Sequence, residues 1–141
     1  MSNRHRKRLN AQLNAKASLG RRDVWIDKTD QVDGQGFWLF LGLHLVGRAT
    51  ARGIFNGQLY TAASIAEAVV LRVLDSEQEV ELLREEVKCL KPARALSFYS
   101  AQGRTLRGRV RLWVDHPRLS TTRLIVGLSR ATSPELVGVA F

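Results

Sequence analysis

The chain has 141 residues, 45% of them hydrophobic, and a formal net charge of +9. That length supports one ordinary domain with a real core, and the composition excludes a wholly disordered chain. One cysteine, Cys89, excludes an internal disulfide and fits a reducing, cytoplasmic setting.

The charge is unevenly spread. Residues 1–22 hold seven Lys or Arg and no acid, which leaves +2 on the remaining 119 residues. The favoured reading of residues 1–23 is a solvated, flexible basic tail. Contact with nucleic acid or anionic lipid through counterion release is the lesser alternative. The N-terminus lacks the apolar stretch of a signal peptide, and no segment approaches the ~18 apolar residues of a membrane span.

After the turn-rich "DKTDQVDGQG", the run "GFWLFLGLHLVG" at residues 36–47 predicts a strand buried on both faces. "RATARGIFNG" follows as a connection. From Leu59 to Val73 the spacing is helical, with Leu59, Ala62, Ala63, Ala66, Val70 and Val73 forming one stripe. Asn56 is placed to cap that helix. Glu67 is its single acid, and Tyr60, Ser64 and Glu67 share a flank.

The acidic "DSEQEVELLREE" reads as a helix end or a loop leading into a strand. Five β-like stretches follow: "LREEVKCLKPA", "ALSFYSAQG", "TLRGRVRLWVD", "STTRLIVGLS" and "ELVGVAF". One apolar helix before several short-linked strands predicts an α+β fold, with an antiparallel sheet wrapped around one long central helix.

Three stretches carry a resemblance: "FNGQLYTAASIAEAVV", "EEVKCLKPAR" and "GRVRLWVDHP" with the strands after it. In this order and spacing they resemble the hot-dog fold, acyl-CoA thioesterase-like branch, over about residues 36–141. The implied domain is 24–141, assembled as a homodimer or a dimer of dimers. The implied activity is hydrolysis of an acyl-CoA or acyl-carrier-protein thioester in fatty acid metabolism. The alternative is a hot-dog protein that binds acyl thioesters without hydrolysing them, as a sensor or regulator.

Within that resemblance Glu67 is the candidate base, and Ser64 stands at the register where many members carry their acid. Asn56, Gly57 and Gln58 form the helix start, whose free N–H groups would hold the thioester oxygen. Arg52, Tyr60, Lys91 and Arg94 are candidates for the coenzyme A side of the site. The chain departs from the family in having Phe55-Asn56-Gly57 where His-Gly-Gly is common.

Arg107, Arg109 and Arg111 alternate along one strand face that Trp113 continues, and read as a solvated outer face. His44 reads as a core residue and His116 as part of a "DHP" turn. Three dispersed histidines and one cysteine give no metal site, and no cofactor is implied. No P-loop or dinucleotide-binding glycine pattern occurs in these residues.

Overall fold

In the computed structural model the described residues are 3–21, 24–27, 34–113 and 120–140. They fall into two compact units, Lys7–Ala95 and the combination of Met1–Arg6 with Leu96–Phe141.

The unit Lys7–Ala95 is built on an antiparallel meander. Strands β1 (Val24–Ile26) and β2 (Phe37–Leu39) pair as a two-stranded ribbon. Strands β3 (His44–Gly47), β4 (Leu59–Ile65), β5 (Ala68–Val73), β6 (Glu79–Leu83) and β7 (Leu90–Pro92) form a five-stranded sheet in the order β6-β5-β4-β3-β7. A 3₁₀ turn, Arg84–Cys89, leads into β7.

Alternation decides what is buried. In β5, Val69 and Leu71 point inward while Arg72 points out, and in β6 Leu82 is buried between exposed Glu81 and Leu83. With Phe37, Leu39, Phe40, Leu43, Leu45, Ile54, Tyr60 and Val87 they make one continuous core. Helix α1 (Asn3–Ser18) carries a stripe of polar residues, Asn10, Asn14 and Ser18, all buried.

The central helix expected at Leu59–Val73 is not there. Those residues form the β4–β5 hairpin, with Ala66 and Glu67 as its two-residue tip. The reason lies in β4 itself, where the pairing register shifts between Ala62 and Ser64. That bulge breaks the period-two alternation, and four nearby alanines imitate a helical stripe. The α+β hot-dog expectation, a sheet around a long helix, is therefore corrected to a five-stranded antiparallel sheet with small accessory sheets and short helices.

The run 36–47 also divides. Gly42 adopts φ 79°, which a residue with a Cβ resists, and the chain breaks there into β2 and β3.

The second unit contains α2 (Phe98–Ala101), β8 (Val110–Trp113), α3 (Thr121–Leu128) and β9 (Val137–Ala140). Strands β8 and β9 run parallel, with Val110 opposite Val137 and Trp113 opposite Ala140. Parallel neighbours need a crossover, and α3 lies in it. Sequence patterning reads "STTRLIVGLS" as a strand; Ser120 instead caps a helix, its Oγ accepting from the Arg123 amide at 3.3 Å. "ALSFYSAQG" likewise contributes helix α2 rather than a strand. The His116 turn lies outside the described residues.

Candidate functional site

The residues grouped for thioester chemistry depended on a helix N-terminus, and the hairpin disperses them. The Gly57 amide donates to the Gly47 carbonyl at 2.9 Å, and the Gln58 amide to the Phe55 carbonyl at 3.1 Å. Both N–H groups expected to meet an oxyanion thus have backbone acceptors. Asn56 is exposed, and its own amide donates to Thr50 Oγ1 at 3.3 Å.

Tyr60 is fully buried and its hydroxyl accepts from the Phe55 amide at 2.9 Å, so it belongs to the core. Ser64 is exposed on β4 opposite Val70, and Glu67 is exposed at the hairpin tip. A carboxylate that is costly in an apolar helix is ordinary in a solvated turn.

The cations separate as well. Arg52 sits at φ 54° beside Gly53 at φ 78°, in the two-residue turn joining Ala51 and Ile54. Its guanidinium contacts the Glu86 carboxylate at 2.8 Å. Lys91 lies on β7 opposite Val46. Arg94 is exposed near His44, and partial burial followed by the charge of Arg94 pushes the His44 imidazole below its ordinary pKa. His44 is therefore on the solvent side of β3, not in the core, with Thr61 Oγ1 3.3 Å from its Nδ1. Burial pushes the Cys89 thiol up, which disfavours a reactive thiolate.

Two other features are more suggestive. The first is the charge of the unit made by Met1–Arg6 and Leu96–Phe141, which holds nine arginines, no lysine and two acids. All five lysines of the chain belong to the other unit. Arginine presents a planar fork suited to bidentate phosphate contacts, so the choice over lysine is not neutral.

Arg109, one residue ahead of β8, and Arg111 within it are exposed, as is Arg123 on α3. The expectation of an outer face at Arg107, Arg109 and Arg111 is met in their exposure, although only Arg111 lies within the strand. Arg130 is held by Ser129 Oγ at 2.9 Å and the Val126 carbonyl at 3.2 Å. Trp113 packs on His5 with ring centroids 5.4 Å apart.

The second feature is the β1–β2 ribbon, where Trp25 and Trp38 are cross-strand partners and both exposed. Sequence reading missed them. The signal was present in "VWI" and "FWL", where period two places each tryptophan opposite its buried apolar neighbours.

The open depression of about 330 Å³ beside Thr61, Arg72 and Asp75 is a weaker candidate. Its one lining cation, Arg72, is held by Glu79 at 2.8 Å, and the Arg72 pKa is raised by that hydrogen bond. Among the described residues no group of three or more His, Cys, Asp or Glu side chains is placed to hold a metal ion. Among them, too, no helix is long and apolar enough to cross a membrane.

No protein-family model and no curated protein sequence matches the chain. Solved structures do. The fold resembles a segment of Pif1 helicases. One is a chain from work on DNA unwinding at forked dsDNA by two coordinating Pif1 helicases, with a TM-score of 0.67 at 17% identity over 98% of this chain and 37% of that one. Another is unliganded Pif1 from Bacteroides sp, with a TM-score of 0.53 at 17% identity over 99% of this chain and 39% of that one. The chain thus spans less than two fifths of the length of these helicase chains. At such identity the likeness is one of fold.

This overturns the hot-dog resemblance and what hung on it. The acyl-thioester hydrolase or sensor, the acyl-CoA or acyl-carrier-protein substrate, the role in fatty acid metabolism and the edge-joined dimer all presupposed a wrapped helix. The described residues contain none, and the chain's fold is similar to that of Pif1 helicase chains.

Proposed function

We propose that this chain is a nucleic-acid-binding part of a helicase-like protein. The observation that carries the reading is the fold likeness to Pif1 helicases, which extends over 98% of the chain. The arginine-only cation set of the second unit supports it, because phosphate oxygens are the partner for which arginine is the better choice. The activity proposed is binding, with Arg109, Arg111 and Arg123 as phosphate contacts. A cytoplasmic setting is part of the proposal, on the strength of the single cysteine.

Affinity for a fluorescent single-stranded oligonucleotide, followed by anisotropy across a salt series, tests it. Each phosphate neutralised on a single strand contributes a slope of about −0.7 in log K against log salt. The double variant Arg109→Gln, Arg111→Gln should flatten the slope by about 1.4. No measurable binding to single or double strands at roughly 50 mM salt, where such contacts are strong, would overturn the proposal.

A further inference from the structure

Trp25 and Trp38 face solvent, 48% and 37% exposed, with ring centroids 5.1 Å apart and planes at 65°. Tryptophan brings the largest apolar surface of any side chain, so an exposed pair calls for a reason. Hydrophobic collapse does not supply one, since three of the four flanking residues, Ile26, Phe37 and Leu39, already lie in the core and the fourth, Val24, packs against it.

The Trp25 ring is held directly, and Trp38 is held through its backbone and its edge contact with Trp25. The Trp25 indole N–H donates to Asp27 Oδ1 at 2.8 Å. Its benzene edge rests on Gly36 so closely that a Cβ there would stand 2.6 Å from Cζ2. The peptide of Trp38 is gripped by Asn14, which accepts from its N–H at 2.7 Å and donates to its carbonyl at 2.8 Å. Rigid aromatic faces lose little freedom when a partner stacks on them.

The surroundings select the partner. Helix α1, which supplies the Asn14 clamp, carries Lys7, Arg8 and Lys16 and no acid within the same unit. Just past β2, the Arg21 guanidinium lies 4.9 Å over the Phe40 ring and donates to the Leu41 carbonyl at 3.2 Å. Among the described residues of this ribbon the one acid, Asp27, is engaged by the indole. Flat π faces in a unit that also carries the fixed Arg21 and a cationic helix match unpaired bases on a phosphate backbone.

We propose that Trp25 and Trp38 form a base-stacking platform for single-stranded nucleic acid. This rests on the nucleic-acid reading above but assigns a separate surface, one that recognises bases rather than phosphates.

The test compares the full chain's affinity for a roughly 20-nucleotide oligothymidylate, a length that spans several stacking sites, with that for an abasic strand of equal length and charge. The wild type should prefer oligothymidylate by at least about fivefold, the lower end of one base–aromatic stack. The variant Trp25→Leu, Trp38→Leu should lose that preference and keep the wild-type salt slope and abasic affinity. Trp25→Phe and Trp38→Phe, which keep an aromatic face and the apolar contacts, should each lose part of it.

A preference retained in all these variants would overturn the platform. Equal wild-type affinity for the two strands would overturn it while leaving phosphate binding intact. Binding to neither strand would overturn the parent reading as well. Self-association of the chain that the leucine pair abolishes, with no change toward oligothymidylate, would make the patch a protein contact and overturn the platform.

Discussion

Asn14 and Trp38 are joined by two hydrogen bonds running in opposite directions, 2.7 Å into Asn14 Oδ1 and 2.8 Å out of its Nδ2. One helical turn earlier Asn10 does the same to Ala95, accepting at 2.7 Å and donating at 3.0 Å. An asparagine amide offers one acceptor and two donors, so it can complete a backbone ladder where no strand is present. Helix α1 thus docks on polar geometry rather than on an apolar stripe.

Replacing Asn14 by Ala leaves the Trp38 N–H and carbonyl without these partners. The expected cost is about 1–3 kcal/mol, because a buried polar group left unpaired costs more than the bond contributed. Urea denaturation should show the midpoint falling at an unchanged slope. Asn14→Asp keeps the acceptor but loses the donor and adds a charge, and should not restore stability.

Arg52 and Glu86 illustrate how unequal the two halves of an ion pair are. Arg52 is largely exposed and sits at φ 54°, a region unfavourable to any residue with a Cβ. Glu86 is mostly buried, and besides Arg52 it accepts from the Leu83 amide at 2.9 Å, capping the 3₁₀ turn. Arg52→Gly exchanges an exposed pair of low worth for an unstrained turn and should lie within about 0.5 kcal/mol of wild type. Glu86→Ala should cost about 1 kcal/mol or more through the lost cap. Paired thermal melts distinguish the two; equal losses would mean the ion pair matters more than the cap.

How much of this was legible in the sequence depends on which physical signal each element used. The strands Val110–Trp113 and Val137–Ala140 alternate or run apolar in the ordinary way, and patterning finds them. The β4–β5 hairpin does not, because the bulge at Ala63 moves every later residue by one and erases the alternation. Its five β-branched residues, Thr61, Ile65, Val69, Val70 and Val73, were the stronger clue. Helix α1 was hidden for another reason. Its buried face is Asn10, Asn14 and Ser18, and hydrophobic periodicity cannot register a polar stripe. Of the site, the arginine bias was open to counting, while the exposure of Trp25 and Trp38 required the correct strand period.

His44 gives the protein a pH response of known sign. Its folded pKa lies below the ordinary histidine value, by partial burial first and the charge of Arg94 second. The unfolded chain therefore binds the proton more readily, and stability rises with pH through this window. The contribution is fully present above about pH 6.5, the unfolded value, and is lost as pH falls from there toward the folded pKa. Arg94→Gln should bring the His44 resonance in an NMR titration to a higher midpoint and reduce the dependence of Tm on pH between about 5.5 and 7. An unchanged midpoint would show that burial alone sets the shift.

Gly47 tests the arrangement that displaced the expected helix start. It closes β3, and its N–H donates to the Gln58 carbonyl at 2.9 Å while its carbonyl accepts from Gly57 at 2.9 Å. The Phe55 carbonyl crosses so near that a Cβ on Gly47 would run into it, and Ile54 Cγ2 would stand only 2.9 Å away. Gly103 is the natural comparison, since it has φ 75° but open space around its missing Cβ. Gly103→Ala should cost about 1–2 kcal/mol, the price of a left-handed backbone for an L-residue. Gly47→Ala meets a different obstacle, backbone rather than a flexible side chain, and an already filled core around Ile54. Overpacking of that kind typically costs 1–3 kcal/mol, and here the strand must also part from residues 55–58 to relieve it. Hydrogen exchange should therefore quicken at the Gly47 and Gly57 amides in Gly47→Ala, and not in Gly103→Ala. If residues 56–58 opened a helix instead, the Gly47 substitution would leave the Gly57 amide unaffected.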